Sequence, residues 1–288
     1  MATWLETTDR IARILEATRP PQQARAEAWR LGADITGVPM ADLFPSSADT
    51  RVSEEEEAVI ELAIARLRSG EPEAYIAGRV PFHDVEVDVD RRALIPRPET
   101  ELLVEAVVEW CRESSRHAPR ILDAGTGTGC IALALAVALP KASITATDIC
   151  SRALSLATRN LGRSPEGARV RLVRADWLSW TNSTWDVIVS NPPYIATAVL
   201  EGLPSSVRDW EPRRALDGGI DGFLHIGTII AHAPRHLRGS GLLALELSPE
   251  HAERACAAAS ASGFDAAAVV TDYAGRSRIL LATVGAPS

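Results

Sequence analysis

A chain of 288 residues, 46% hydrophobic and 24% charged, has ordinary globular composition and enough length for one large domain and a smaller one. No stretch approaches the roughly 18 uninterrupted apolar residues of a membrane span, and MATWLETTDR lacks the apolar core of a secretory signal, so the expected location is the cytoplasm. A formal charge of −8 argues against a protein that binds by neutralising phosphates, which makes free nucleic acid a poor candidate partner.

Residues 1–74 read as a small helical unit. Apolar positions recur at helical spacing in WLETTDRIARILEAT, and Ser53 before EEEEAVIELAIARLRSG supplies an N-cap, an acidic first turn and a terminal glycine. The run Glu54 to Glu57 suits the positive end of a helix macrodipole and is read as a solvated helix start. Over residues 75–98 the texture changes: VEVDVD alternates apolar and acidic side chains as a half-exposed strand does, and prolines break any helix, which predicts a β-hairpin linker.

Residues 99–288 alternate between helices and strands. A helix through ELLVEAVVEWCRE precedes the strand RILDAG, a helix from Cys130 to about Leu139 precedes ASITATD, and RALSLATRNLG precedes VRLVRAD and WDVIVSN. Next come a helix from Ile226 to Leu237, the strand GLLALEL, an alanine-rich helix from about Pro249, and the closing strands DAAAVVTDY and SRILLATV. The alternation predicts an α/β domain built on a parallel sheet with helices on both faces. Cys111, Cys130, Cys150 and Cys256 are scattered, and neither they nor the histidines show metal-ligand spacing, so they are read as reduced thiols and as packing or surface residues.

Two segments carry chemistry. In ILDAGTGTGC, Gly125, Gly127 and Gly129 lie between a strand and a helix, where their freedom at positive φ permits a sharp turn and a close ligand approach. The dinucleotide fingerprint requires a glycine at position 130, which is Cys130, so the spacing GxGxG turns the reading away from NAD. Asp148 ends the next strand, where a carboxylate accepts from both ribose hydroxyls, and Asp176 and Trp177 follow the strand after it, offering a polar contact and an aromatic wall for adenine. A ribose acceptor, an adenine slot and no call for a phosphate cradle suit S-adenosylmethionine, whose positive sulfonium is tolerated by an acidic floor such as Asp123.

The second segment is NPPY. Asn191 offers a side-chain carbonyl, Pro192 a backbone carbonyl, neither proline has an N–H, and Tyr194 adds a flat ring. Two fixed acceptors hold the two N–H groups of a planar NH₂ and draw its nitrogen lone pair towards a methyl donor. That is the requirement for N-methylation of an amide or an exocyclic amine, achieved by positioning and polarisation.

Together IPRPETELLVE, ILDAGTGTGCIALALA, SNPPYI and EPRRALDGGIDG resemble the bacterial peptide chain release factor glutamine N5-methyltransferases. The resemblance spans nearly the whole chain and implies a Rossmann-like class I S-adenosylmethionine-dependent methyltransferase domain, joined by a β-hairpin to a small helical domain that docks the substrate. It implies cofactor contacts at Gly125, Thr126, Gly127, Thr128, Gly129, Asp148, Trp177 and Asn191, catalytic roles for Asn191, Pro192 and Tyr194, and a substrate glutamine held by Asn191, Pro192, Pro193 and Tyr194. By the same resemblance, that glutamine would belong to the GGQ loop of class I release factors, and Arg97 to Thr100 would flank the methyl-donor pocket. The rival readings are a related N-methyltransferase acting on a small metabolite or another protein, a nucleic-acid adenine or guanine N-methyltransferase, which would bring a basic groove or a recognition domain, and a non-catalytic binding protein that retains a nucleoside fold.

Overall fold

The computed structural model describes residues 2–43 and 50–285, and the chain forms two compact units. The first comprises the residues up to Arg79 together with Ser205–Trp210, and the second comprises Val80–Pro204 and Glu211–Ser288.

Among the described residues, the part of the first unit up to Arg79 contains the helices α1 (Trp4–Leu15), α2 (Pro21–Thr36), α3 (Glu54–Arg68) and α4 (Glu73–Ala77). Both α1 and α3 start with a capping box, in which Thr3 and Ser53 accept from the N–H groups of Glu6 and Glu56 while those glutamates bind back to the cap N–H groups. The apolar faces of α1 to α3 meet in a core containing Trp4, Ile11, Ala28, Trp29, Ile60 and Ile64. Gly32 admits the Trp4 ring, since a Cβ there would stand 3.2 Å from it.

β1 (Arg79–Phe82) and β2 (Val85–Asp88) form a two-stranded sheet, turning at His83 with φ 50°. The elements that follow are α5 (Pro98–Glu113), β3 (Arg120–Ala124), α6 (Cys130–Ala138), β4 (Ser143–Asp148), α7 (Ser151–Leu161), β5 (Val170–Arg174) and β6 (Trp185–Ser190). Then come α8 (Ser205–Arg208), α9 (Leu224–His232), β7 (Leu237–Glu246), α10 (Ala252–Ala261), β8 (Ala266–Thr271) and β9 (Ser277–Thr283). Strands β3 to β9 make one seven-stranded sheet in the order β5-β4-β3-β6-β7-β9-β8.

The sheet is mixed, which corrects the expectation of a parallel one: β9 inserts between β7 and β8 and runs antiparallel to both. Only a short turn separates β8 from β9, too short for a crossover, so the last strand must return against its neighbour. The helix expected over Ile226 to Leu237 ends at His232, followed by a 3₁₀ turn containing Pro234, whose ring cannot continue an α-helix, and Leu237 already begins β7.

Every residue of β6 is buried, as expected for a strand covered on both faces. On one face Leu122, Ile188, Leu243, Leu245 and Leu280 pack against Ile226, Ile229 and Ile230 of α9 and Ala255 and Ala259 of α10. From β3 the chain proceeds to β4 on one side, whereas β6 pairs on the other, so the order reverses at the β3/β6 boundary. The carboxyl edge at such a reversal opens a crevice between diverging connections, the place where open α/β sheets bind ligands. No helix among the described residues is long and apolar enough to cross a membrane.

Candidate active site

The loop from β3 to α6 turns through Gly125, Gly127 and Gly129 at φ 81°, 56° and 83°, values that favour glycine. Space is short as well. A Cβ on Gly125 would lie 3.1 Å from the Trp177 ring, and one on Gly129 would lie 3.2 Å from Ala157 Cβ. The loop is tied to β4 by the N–H groups of Gly125 and Thr126, which both donate to Thr147 O at 2.8 Å. Asp148 then accepts from Gly127 N–H (3.0 Å) and Cys150 N–H (2.8 Å), one on each carboxylate oxygen. Buried Asn160 donates to Thr128 O (2.9 Å) and Asp88 O (3.0 Å) and accepts from Asp88 N–H (2.8 Å), which joins the loop to β2.

A cavity of about 430 Å³ opens over this loop, lined by Gly125, Thr126, Gly127, Thr128, Asp148, Asp176, Trp177, Asn191 and Pro193, with Arg97 and Thr100 on its wall. The structure therefore brings most of the expected residues to one surface. Gly129, Pro192 and Tyr194 do not line it. Gly129 turns into the start of α6, Pro192 is buried, and the Tyr194 hydroxyl points to Glu246 at 3.5 Å.

Asp123 is likewise absent from the cavity wall: it is fully buried beneath the loop, its Oδ2 accepting from the Thr126 hydroxyl at 2.6 Å and its Oδ1 without a partner among the described residues. It therefore braces the glycine loop from below and is not the expected floor of the pocket. Burial pushes its carboxyl up to about 7, with Asp148 adding repulsion. Burial also raises Asp148, opposed by its two N–H donors and by Arg214.

An acid raised by folding favours the native state while protonated, and that contribution disappears as pH climbs through the folded pKa. Relative to Asp123→Asn, the wild type is expected to lose on the order of 4 kcal/mol of stability as pH rises from about 4 to about 7. Urea denaturation at several pH values checks this; parallel pH profiles for the two proteins would contradict it.

Beyond β6, Asn191 donates from Nδ2 to Thr100 Oγ1 at 3.0 Å, and Thr100 is buried in the first turn of α5. The chain after NPPY is pinned on both sides. Ile195 N–H donates to Leu216 O (3.1 Å), Gly218 N–H to Ile195 O (2.8 Å) and Thr197 N–H to Gly219 O (2.8 Å). His251 Nε2 lies 3.2 Å from Tyr194 O, so that nitrogen carries the proton.

Gly222, at φ 75°, completes this clamp: a Cβ there would stand 2.4 Å from Tyr194 O and 2.9 Å from His251 Nε2. Gly222→Ala is expected to cost about 3 kcal/mol and to shift the NPPY backbone, whereas Gly263→Ala, at φ 94° in open space, should cost about 1 kcal/mol. Chemical denaturation of both variants measures the difference.

Several site residues escape a reading of the sequence. Glu211 accepts from Ile95 N–H (3.1 Å) and pairs with Arg97, so the EPRR and PRPET segments meet. His225 lines the cavity beside Trp177, with ring centroids 5.3 Å apart. Arg214 and Glu246 complete the set. Glu211 and Arg214 lie in a segment already singled out, and Glu246 has one available signal, a carboxylate closing the apolar run GLLAL.

Two family models match the chain: the PrmC N-terminal domain over residues 7–78 and the Methyltransferase small domain over residues 98–202. A release factor glutamine methyltransferase of Agrobacterium fabrum is 36% identical over 88% of this chain and 88% of its own. Another, of Rhodopirellula baltica, is 36% identical over 94% of this chain and 95% of its own. Among solved structures, a methyltransferase from Pyrococcus furiosus shares the fold with TM-score 0.52 at 18% identity, covering 81% of this chain and all of its own. Likeness carried through both the helical unit and the seven-stranded mixed sheet of a class I methyltransferase places this chain in the release factor glutamine methyltransferase family.

Proposed function

We propose that the protein transfers a methyl group from S-adenosylmethionine to the side-chain amide nitrogen (N5) of the glutamine in the GGQ motif of class I peptide chain release factors. The observation that carries this reading is the commitment of Asn191 Nδ2 to Thr100 on the wall of the cavity, which leaves Asn191 Oδ1 to accept from a planar NH₂ group. The cavity suits the cofactor. Its volume falls in the range of small-molecule sites, its glycine loop leaves space at Gly127, where a Cβ would meet nothing closer than Ala93 Cβ at 3.9 Å, and a carboxylate stands at the end of β4.

When bound, S-adenosylmethionine supplies an electrophilic methyl group on a sulfonium. Gly125 to Thr128 would form the cradle, with Gly129 turning the loop into α6; Asp148 would accept from the ribose hydroxyls, Trp177 would wall the adenine and Asn191 would border the donor end. On the substrate side, Asn191 Oδ1 and the Pro192 carbonyl accept the two amide N–H groups. Both acceptors sharpen the nitrogen lone pair and fix its direction, while Pro192 and Pro193 present no competing N–H. Pro193, on the cavity wall, closes the slot, and Tyr194 would reach the carboxamide plane from outside that wall. As the new N–C bond replaces the S–C bond, the donor would leave as a neutral thioether, and the N-alkylated amide nitrogen, a strong acid, would pass its surplus proton to water without a dedicated base.

The helical unit docks the remainder of the release factor, and the enzyme works in the cytoplasm, where translation takes place. Neither a membrane nor a direct nucleic-acid contact is part of this reading. Incubation of the purified protein with labelled methyl donor and each class I release factor, followed by peptide mass spectrometry, is expected to place one methyl on the GGQ glutamine. Label elsewhere, or on a small metabolite alone, overturns the assignment.

A further inference from the structure

Two separate stretches of chain that line the cofactor cavity rest on the same helix, α7. One is the glycine loop: a Cβ on Gly129 would lie 3.2 Å from Ala157 Cβ. The other leaves β2 and contributes Ala93, Leu94 and Arg97 to the cavity wall, with Ala93 packed against Ala153 and Leu156. Apolar contacts of this kind limit how close the two stretches come to the helix, but they have no direction and do not fix register.

Asn160 supplies a directional tie. It is 1% exposed and uses its oxygen and both N–H groups: Oδ1 accepts from Asp88 N–H at 2.8 Å, and Nδ2 donates to Asp88 O at 3.0 Å and to Thr128 O at 2.9 Å. Half a turn of the amide would set its oxygen against two carbonyls and its NH₂ against an N–H, so one orientation alone satisfies all three bonds. The peptide group between Thr128 and Gly129 is held at both ends, because its carbonyl is on Asn160 and its N–H donates to Thr126 O at 2.8 Å. It cannot rotate without breaking both bonds.

Asp88 ends β2, and its carboxylate is gripped a second time by Arg159 at 2.9 Å and Arg163 at 3.0 Å. Those two bonds hold β2 without touching the glycine loop. Asn160 holds both.

We propose that Asn160 is a positioning residue for the cofactor: its carboxamide keeps the glycine loop in register with the strand that leads into Ala93, Leu94 and Arg97, so that a ligand on the loop is felt at β2. This rests on the cofactor site given above and on no step of the methyl transfer.

Asn160→Asp keeps an acceptor for Asp88 N–H but sets carboxylate oxygen against the two carbonyls. In the full-length protein it is expected to raise the Kd for S-adenosylmethionine about 30-fold by calorimetry, with kcat at saturating cofactor within about threefold of wild type. Where that variant does not fold, Asn160→Ser takes its place, with an expected rise of about tenfold. Arg163→Ala loosens Asp88 and leaves Thr128 alone, and it should change the Kd by less than about threefold. A merely structural role would instead make the Kd follow the urea midpoint through all the variants.

A second readout needs only the methyl donor. Asp88 does not line the cavity, so a shift of its backbone amide signal on saturation with S-adenosylmethionine reports transmission through Asn160. With selective ¹⁵N-aspartate labelling, the signal is expected to move in the wild type and to stay in place in Asn160→Ser. An Asn160 variant that binds the donor within about threefold of wild type, an equal loss of affinity in Arg163→Ala, or an Asp88 signal that ignores the donor overturns the proposal. A wild type that binds the donor but methylates no release factor overturns the functional reading alone, and one that binds no donor overturns both.

Discussion

Asn191→Ala is expected to lower kcat for glutamine methylation about a thousandfold while the Kd for S-adenosylmethionine changes by less than about threefold. The substitution removes the side-chain acceptor proposed to orient the amide NH₂ and leaves the Thr100 hydroxyl without its N–H donor. It leaves β6 and the clamp around Ile195 and Gly218 in place, because those bonds are made by backbone groups. Single-turnover methylation and titration calorimetry on one preparation separate the two effects. Asn191→Asp sharpens the test: it keeps an acceptor but has no N–H for Thr100, so it should recover only part of the loss. A kcat within tenfold of wild type in Asn191→Ala would mean that the glutamine is oriented elsewhere.

Asp148→Ala is expected to act on the other partner, raising the Kd for S-adenosylmethionine about a hundredfold with a smaller effect on kcat at saturation. Two losses combine. The acceptor proposed for the ribose hydroxyls disappears, and the N–H groups of Gly127 and Cys150 lose the carboxylate that fixes the loop. Asp148→Asn should also bind weakly despite its matching shape. Each carboxylate oxygen already accepts a backbone N–H, so an amide must set its own NH₂ against one of them. Calorimetry on the three proteins checks this; an asparagine variant that binds as tightly as wild type would remove Asp148 from the cofactor site.

The two predictions differ in how far the sequence foretold them. The glycine loop and NPPY are legible because each is a chemical statement complete within a few consecutive residues: glycines where φ must be positive, and acceptors where N–H groups must be missing. Asp148 was legible because the end of the strand after the loop is a place that parallel sheets define. Trp177 was legible by the same rule, although its φ of 42°, rare for a bulky residue, is seen only in the folded chain.

The partners of these residues were not legible. Tyr194 meets Glu246 at 52 positions' separation, and Arg97 meets Glu211 at 114. Spacing of that order carries no information about contact, since any of several strand orders would accommodate the same periodicities. Only the order in which β6, β7 and β9 assemble brings the last carboxylate of β7 beside the first turn of α5 and the phenol after β6.

Asp123 shows the same limit at short range. Its type and place at the end of β3 suggested a pocket floor, but the packing of the loop above it closed off the solvent and made it a brace. By itself, the sequence determined the class of fold, the edge where the cavity lies and the residues from which a chemistry for its two principal loops is proposed, because helix and strand periods, glycine conformations and missing N–H groups are local properties of the chain. Tertiary structure alone decided which buried acids stand behind those loops, which way Asn191 turns, and that the final strand runs against its neighbours, because these depend on groups far apart in sequence sharing one desolvated space.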